Sequence, residues 1–95
     1  MSSARYKRVL CADGFSVSIQ AHDGAYCDPR RSGFQAYTSV ELGYPNRPCP
    51  FIIDYAEEVE RPTETVYGYV PASVVRKMLL AHGGIIEGEC PPLAR

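Results

Sequence analysis

The patterning of this chain predicts an α+β fold: a small antiparallel β-sheet of about three to five strands, with one main helix over residues 71–82 packed on one face. Three observations carry that expectation. Phe15, Val17 and Ile19 alternate with Ser16, Ser18 and Gln20 directly after an Asp13-Gly14 turn signal, which is the period of a half-buried strand in a hairpin. Val74, Val75, Met78 and Leu79 recur at helical spacing between Pro71 and Gly83-Gly84, with His82 at the edge of the same stripe. Short β-like segments bounded by glycine and proline lie between those two regions, and no internal repeat is present.

The elements follow in order. From Tyr6 to Ala21 the chain reads as two strands around Asp13-Gly14; Val9, Leu10 and Cys11 form a continuous apolar run whose register alternation does not fix. From His22 to Ala36 the turn formers Asp23, Gly24, Asp28, Pro29, Ser32 and Gly33 predict an irregular surface connection, pinned by Tyr26 and Cys27. A third strand spans about Tyr37 to Gly43, with Thr38, Val40 and Leu42 on one face and Tyr37, Ser39 and Glu41 on the other. Pro45, Pro48, Pro50 and Pro62 then exclude a central strand, so Tyr44–Pro62 is expected to be a long loop. Inside it, Phe51-Ile52-Ile53 leads into an acidic stretch and offers one helical turn with an apolar side for the core. Thr65–Val70 reads as a fourth strand, in which simple alternation puts Tyr67 and Tyr69 on one face. Pro71 suits the first position of the helix, where its missing N–H costs nothing, and Arg76 and Lys77 fall on the water side. Ile85 and Ile86 supply a last short strand before Pro91-Pro92.

A chain of 95 residues has room for one hydrophobic core, so residues 1–95 are read as a single domain. No apolar run approaches the ~20 residues of a bilayer span, and the N-terminus lacks the apolar region of a signal peptide. A cytoplasmic protein with no membrane contact is expected. Cys11, Cys27, Cys49 and Cys90 are accordingly read as free thiols. They are separated by 15, 21 and 40 intervening residues, with no close pair to seed a zinc site, so no metal and no cofactor is expected. A small metal-binding protein assembled from distant residues is the alternative.

Nucleophilic catalysis needs a thiol or hydroxyl, an imidazole base and an orienting carboxylate, residue types that Cys27 or Cys11 with His22 and Asp23 supply. There is no nucleophile elbow and no glycine-rich phosphate loop, and His22-Asp23-Gly24 reads more simply as a turn. His82 reads as a favourable partner of the helix dipole. The expectation is therefore a protein that is not an enzyme.

Charge is segregated, although the formal net charge is only -1. Asp54, Glu57, Glu58, Glu60 and Glu64 against Arg61 give a local excess of four negative charges, whereas Arg5, Lys7, Arg8, Arg30 and Arg31 lie in the N-terminal third. Seven tyrosines and no tryptophan favour contact surfaces with a polar tip. Tyr26, Tyr37, Tyr44 and Tyr55 lie in or near loops. The predicted partner-binding residues are Tyr26, Arg30, Arg31, Tyr44, Asp54, Tyr55, Glu57, Glu58 and Glu60, facing a basic protein partner. Arg30 and Arg31 beside aromatics also suit stacking on bases, a thin footprint that makes a nucleic-acid-associated protein the alternative. An exposed sheet edge or the Phe51-Ile52-Ile53 patch would serve a homodimer.

The run Cys11 to Ala21, the segment Gly24-Ala25-Tyr26-Cys27, then Val40-Glu41-Leu42-Gly43-Tyr44-Pro45, and Val66-Tyr67-Gly68-Tyr69-Val70-Pro71 before a helix ending His82-Gly83-Gly84, resemble a family of small uncharacterised bacteriophage and prophage proteins. The resemblance covers most of the chain and carries no catalytic motif. It implies a setting: a phage-encoded inhibitor that binds a bacterial host protein or defence complex, as anti-CRISPR and other anti-defence proteins do.

Overall fold

The structure is a computed structural model that describes residues 6–95, so Arg5 of the basic N-terminal third lies outside the described residues. Five strands form one antiparallel sheet: β1 (Val9–Cys11), β2 (Ser16–Gln20), β3 (Ser39–Gly43), β4 (Val66–Pro71) and β5 (Ile85–Glu87). Their spatial order is β4-β3-β2-β1-β5. The first four strands follow one another as a meander. The helix α1 (Ala72–Ala81) then carries the chain from the β4 edge to the opposite edge, where β5 pairs with β1. The expected α+β architecture, with five strands and one main helix, is therefore the one observed.

One face of the sheet is buried, as the alternation in β2 requires: Val17 and Ile19 are fully buried while Ser16, Ser18 and Gln20 are half-buried. Ala72, Val75 and Met78 give α1 its buried stripe, and Val74 and Leu79 flank it. Pro71 ends β4 and caps the helix rather than opening it; the first helical N–H, that of Ala72, donates instead to the Thr38 carbonyl at 2.9 Å. At the other end, Gly83 N–H bonds Leu80 O at 3.0 Å and Gly84 N–H bonds Leu79 O at 2.8 Å, with Gly83 at φ 92°. This paired closure satisfies two orphan carbonyls and needs a residue that tolerates the left-handed region.

β4 departs from the sequence reading. Val40 pairs with Val70 but Leu42 pairs with Tyr67, so Gly68 and Tyr69 together face Glu41 across a β-bulge. Tyr69 takes φ 53° there. The extra residue breaks the alternation: Tyr67 and Val70 are both buried, and Tyr69 is exposed instead of sharing a face with Tyr67. Tyr37 also corrects an expectation, since it lies before β3, is fully buried, and donates its hydroxyl to Arg31 O at 2.5 Å.

The long loop is anchored. Residues Ile53–Tyr55 form a single 3-10 turn, and Ile52 is the apolar residue that reaches the core, leaving Phe51 exposed. Ala56 then bridges to Tyr67, and Glu57 N–H donates to Val66 O at 3.0 Å, covering part of the outer edge of β4.

Candidate functional site

Two groups of residues stand out, one read from the sequence and one found only in the structure. The first surrounds β4. Asp54, Glu57, Glu58 and Glu60 are exposed, and among the described residues none of them forms an ion pair; the segment's one pair is Arg61 with Glu64 at 3.6 Å. Their backbone is nonetheless fixed. Besides the Glu57 bond, Glu58 N–H donates to Thr65 Oγ1 at 3.1 Å, Arg61 N–H to Glu58 O at 3.0 Å, and the Tyr67 hydroxyl to Pro62 O at 2.5 Å. Glu58, Val59, Glu60 and Arg61 enclose an open concavity of about 560 Å³. Tyr55 is half-buried and packs against the core.

The tyrosines border the same strand. Tyr69 N–H donates to Tyr26 O at 3.0 Å, their ring centroids lie 5.9 Å apart, and Gly68 leaves the space that the Tyr26 side chain fills. Arg30 lies over the Tyr26 ring at 5.4 Å and donates Nε to Ala25 O at 3.0 Å. Arg31 lies over Phe34 instead, at 5.7 Å. At the far end of β4, Tyr44 N–H donates to Thr65 O at 3.0 Å, and Tyr44 O accepts from Arg8 at 2.6 Å. Tyr44 and Tyr69 are both exposed and both left-handed, at φ 52° and 53°. Holding a tyrosine there costs on the order of 1–3 kcal/mol, and such strain gathers at working surfaces. The structure therefore brings Tyr26, Arg30, Tyr44 and the acidic segment around β4 and adds Tyr69, which simple alternation places elsewhere.

The second group lies where the β1–β2 turn, the proline loop and the C-terminus of α1 meet. Asp13 accepts three hydrogen bonds: Phe15 N–H at 2.9 Å, Arg47 at 2.8 Å and His82 Nδ1 at 2.7 Å. The other ring nitrogen, His82 Nε2, is 3.5 Å from Cys49 Sγ. Phe15 stacks on the imidazole at 3.9 Å and 7°, fixing the ring plane. Each residue is held by its neighbours in sequence. Gly83 and Gly84 set His82 at the helix end, and the turn binds back through Asp13 N–H to His82 O at 3.1 Å. Asn46 clamps the loop to the hairpin through Ser16 and Gly14, at 2.9 Å in each bond. Cys49 is 1% exposed and forms part of an apolar cleft of about 260 Å³ with Pro48, Pro50 and Ile53.

The alternative thiol site is not assembled. His22 Nδ1 accepts from Gly24 N–H at 3.0 Å, and Cys27 Sγ bonds the His22 and Pro29 carbonyls at 3.4 Å, so thiol and imidazole do not meet. All four cysteines are free, and burial pushes the Cys90 thiol up to about 11. Among the described residues no group of three or more His, Cys, Asp or Glu side chains is arranged to hold a metal ion. Among the described residues no helix is long and apolar enough to cross a membrane.

Read along the sequence, Asp13 serves its turn and His82 the helix dipole, and Cys49 does not stand out. A signal is present all the same: Asp13-Gly14, Pro48-Cys49-Pro50 and His82-Gly83-Gly84 each pair a reactive side chain with residues that redirect the backbone, glycine by admitting positive φ and proline by fixing φ.

The hydrogen bond from His82, that from the Phe15 N–H and the Arg47 charge hold the Asp13 carboxyl below its ordinary 3.8. A carboxyl lowered in the fold stabilises the fold above its unfolded value and stops doing so as the pH falls through the folded value. Asp13→Asn is therefore expected to lower the melting temperature at neutral pH, and the gap from the native protein should close below pH 3.8. A gap that stays constant down to the acid limit would show that the carboxylate is not the source.

No family model, no curated protein and no solved structure matches the chain.

Proposed function

We propose that this protein works by binding a partner protein with a basic surface, using the acidic segment 54–60 and the tyrosines around β4. The observation that supports the reading most is that Asp54, Glu57, Glu58 and Glu60 stand exposed and, among the described residues, free of ion pairs on a backbone tied to β4. A surface ordered before contact loses less entropy on binding, so its charges steer and select a partner at low cost. Tyr26, Tyr44 and Tyr69 add aromatic area of the kind that anchors interfaces. The finer reading is a non-enzymatic, phage-encoded inhibitor of a bacterial host protein or defence complex, acting in the cytoplasm; it rests on the family resemblance.

The test is retention of partners from a bacterial lysate, followed by purified binding. The triple variant Glu57→Lys, Glu58→Lys, Glu60→Lys is expected to weaken capture at least about 10-fold, with a smaller loss for Arg30→Ala with Arg31→Ala. Unchanged capture by the charge-reversed variant would sink the acidic-surface reading. Retention of nucleic acid alone, lost with the arginine variant, would replace it by the nucleic-acid reading.

A further inference from the structure

We infer that Cys49, His82 and Asp13 form a nucleophilic thiol site that takes a short apolar acyl group from an activated ester or thioester. The inference goes beyond the binding reading and uses none of its residues. It stands on three geometric facts. The 2.7 Å bond to an ionised carboxylate, which can only accept, places the imidazole hydrogen on Nδ1. Nε2, the nitrogen left without that hydrogen when the ring carries one proton, faces the thiol of Cys49 at 3.5 Å. Phe15 on one ring face, and the helix end behind the ring, keep that alignment from rotating.

Burial raises the Cys49 thiol, while the N–H groups of Phe51 and Ile52 and the Arg47 charge pull the other way. A raised thiol holds its proton at rest, so the proton must leave as the nucleophile attacks, and an adjacent base is what removes it. In the step, the sulfur–hydrogen proton passes to His82 Nε2 and the Sγ–carbon bond forms. The ester carbon–oxygen bond (carbon–sulfur in a thioester) breaks, its electron pair departs with the leaving group, and His82 returns its proton to solvent or to that group. Asp13 acts as a positioning residue that fixes the tautomer and the ring direction. The cleft walled by Pro48, Pro50 and Ile53 has about 260 Å³ and no charged side chain, which suits a short apolar acyl chain.

The probe is p-nitrophenyl acetate on the intact protein, with p-nitrophenolate release followed by absorbance and the acetyl group located by peptide mass. One acetyl on Cys49 is expected, formed faster in the native protein than in urea, although burial alone would protect this thiol. His82→Gln is expected to slow acylation by on the order of 10²-fold. Asp13→Asn should lower the plateau and change the shape of the pH–rate profile, with Asp13→Glu restoring part of both, at unchanged near-ultraviolet circular dichroism. Three results each overturn the inference: acetyl spread evenly over Cys11, Cys27, Cys90 and the lysines; native acylation of Cys49 no faster than in urea; or a rate unmoved by His82→Gln. The first two are read on the unaltered protein and stand even if a variant fails to fold.

Discussion

Replacing Tyr67 with alanine is expected to lower the stability of the fold by about 3–5 kcal/mol, a large share of the ~5–15 kcal/mol that holds a domain of this kind together. The ring is fully buried beside Leu42, the residue it pairs with on β3, so truncation opens a cavity in the middle of the core. The hydroxyl plays a separate part, donating to Pro62 O and closing the far end of the acidic segment. Tyr67→Phe keeps the ring and loses only that bond, for about 1 kcal/mol. Urea melts would separate the two sizes. Amide exchange would separate the causes, since the phenylalanine variant should speed exchange at Arg61 and Glu64 while leaving Glu57, bonded to Val66, protected. Equal losses from both variants would mean that the hydroxyl, and not the ring, is what matters at this position.

Gly88→Ala is expected to cost about 3 kcal/mol or more. Gly88 has φ 96°, and a Cβ there would press into the Arg8 carbonyl, where the chain leaving β5 runs against the start of β1. The neighbouring contacts, Glu89 N–H to Lys7 O at 3.1 Å and Lys7 N–H to Glu89 Oε1 at 3.2 Å, would separate with it. Gly14→Ala is the control: φ is 93°, yet nothing lies within 4 Å of its Cβ, so only the backbone strain of about 1–2 kcal/mol is incurred. If both substitutions cost the same, the close approach to Arg8 is not what fixes glycine at position 88.

The elements that depend on local pattern were legible in the sequence. The Asp13-Gly14 hairpin, the helix before Gly83-Gly84 and the short strand at Ile85 and Ile86 each carry their signal within a few residues. β4 was legible as a strand but not in its facing, because a bulge is decided by the partner strand: Glu41 meets two residues of β4, which no count along residues 66–71 reveals. Tyr37 lies just outside β3, and the C-terminal residues Pro92 and Ala94, which take up its backbone groups, are more than fifty positions away. The acidic segment was visible as composition, whereas its attachment to β4 was not. Cys49, His82 and Asp13 are likewise scattered along the chain, and only the return of α1 across the sheet, with the loop clamped by Asn46, puts them side by side.

The bulge at Gly68 and Tyr69 also determines how this chain tolerates change in length. It works as a one-place offset in the count of inside and outside along β4, and everything after it is read in the shifted frame. Paired regularly at its present length, β4 would turn either Tyr67 or Val70 outward, whereas dropping one residue between them would remove the bulge and leave the two at a spacing of two with both inside. Regular pairing at the present length would also hand α1 to the sheet one residue out of step with Ser39 and Val40, the partners of Pro71 and Val70. Related chains should therefore vary in length in the turn around Arg31 to Gln35, where only the Phe34 and Tyr37 anchors must be kept, and between Tyr67 and Val70 by the bulge residue alone.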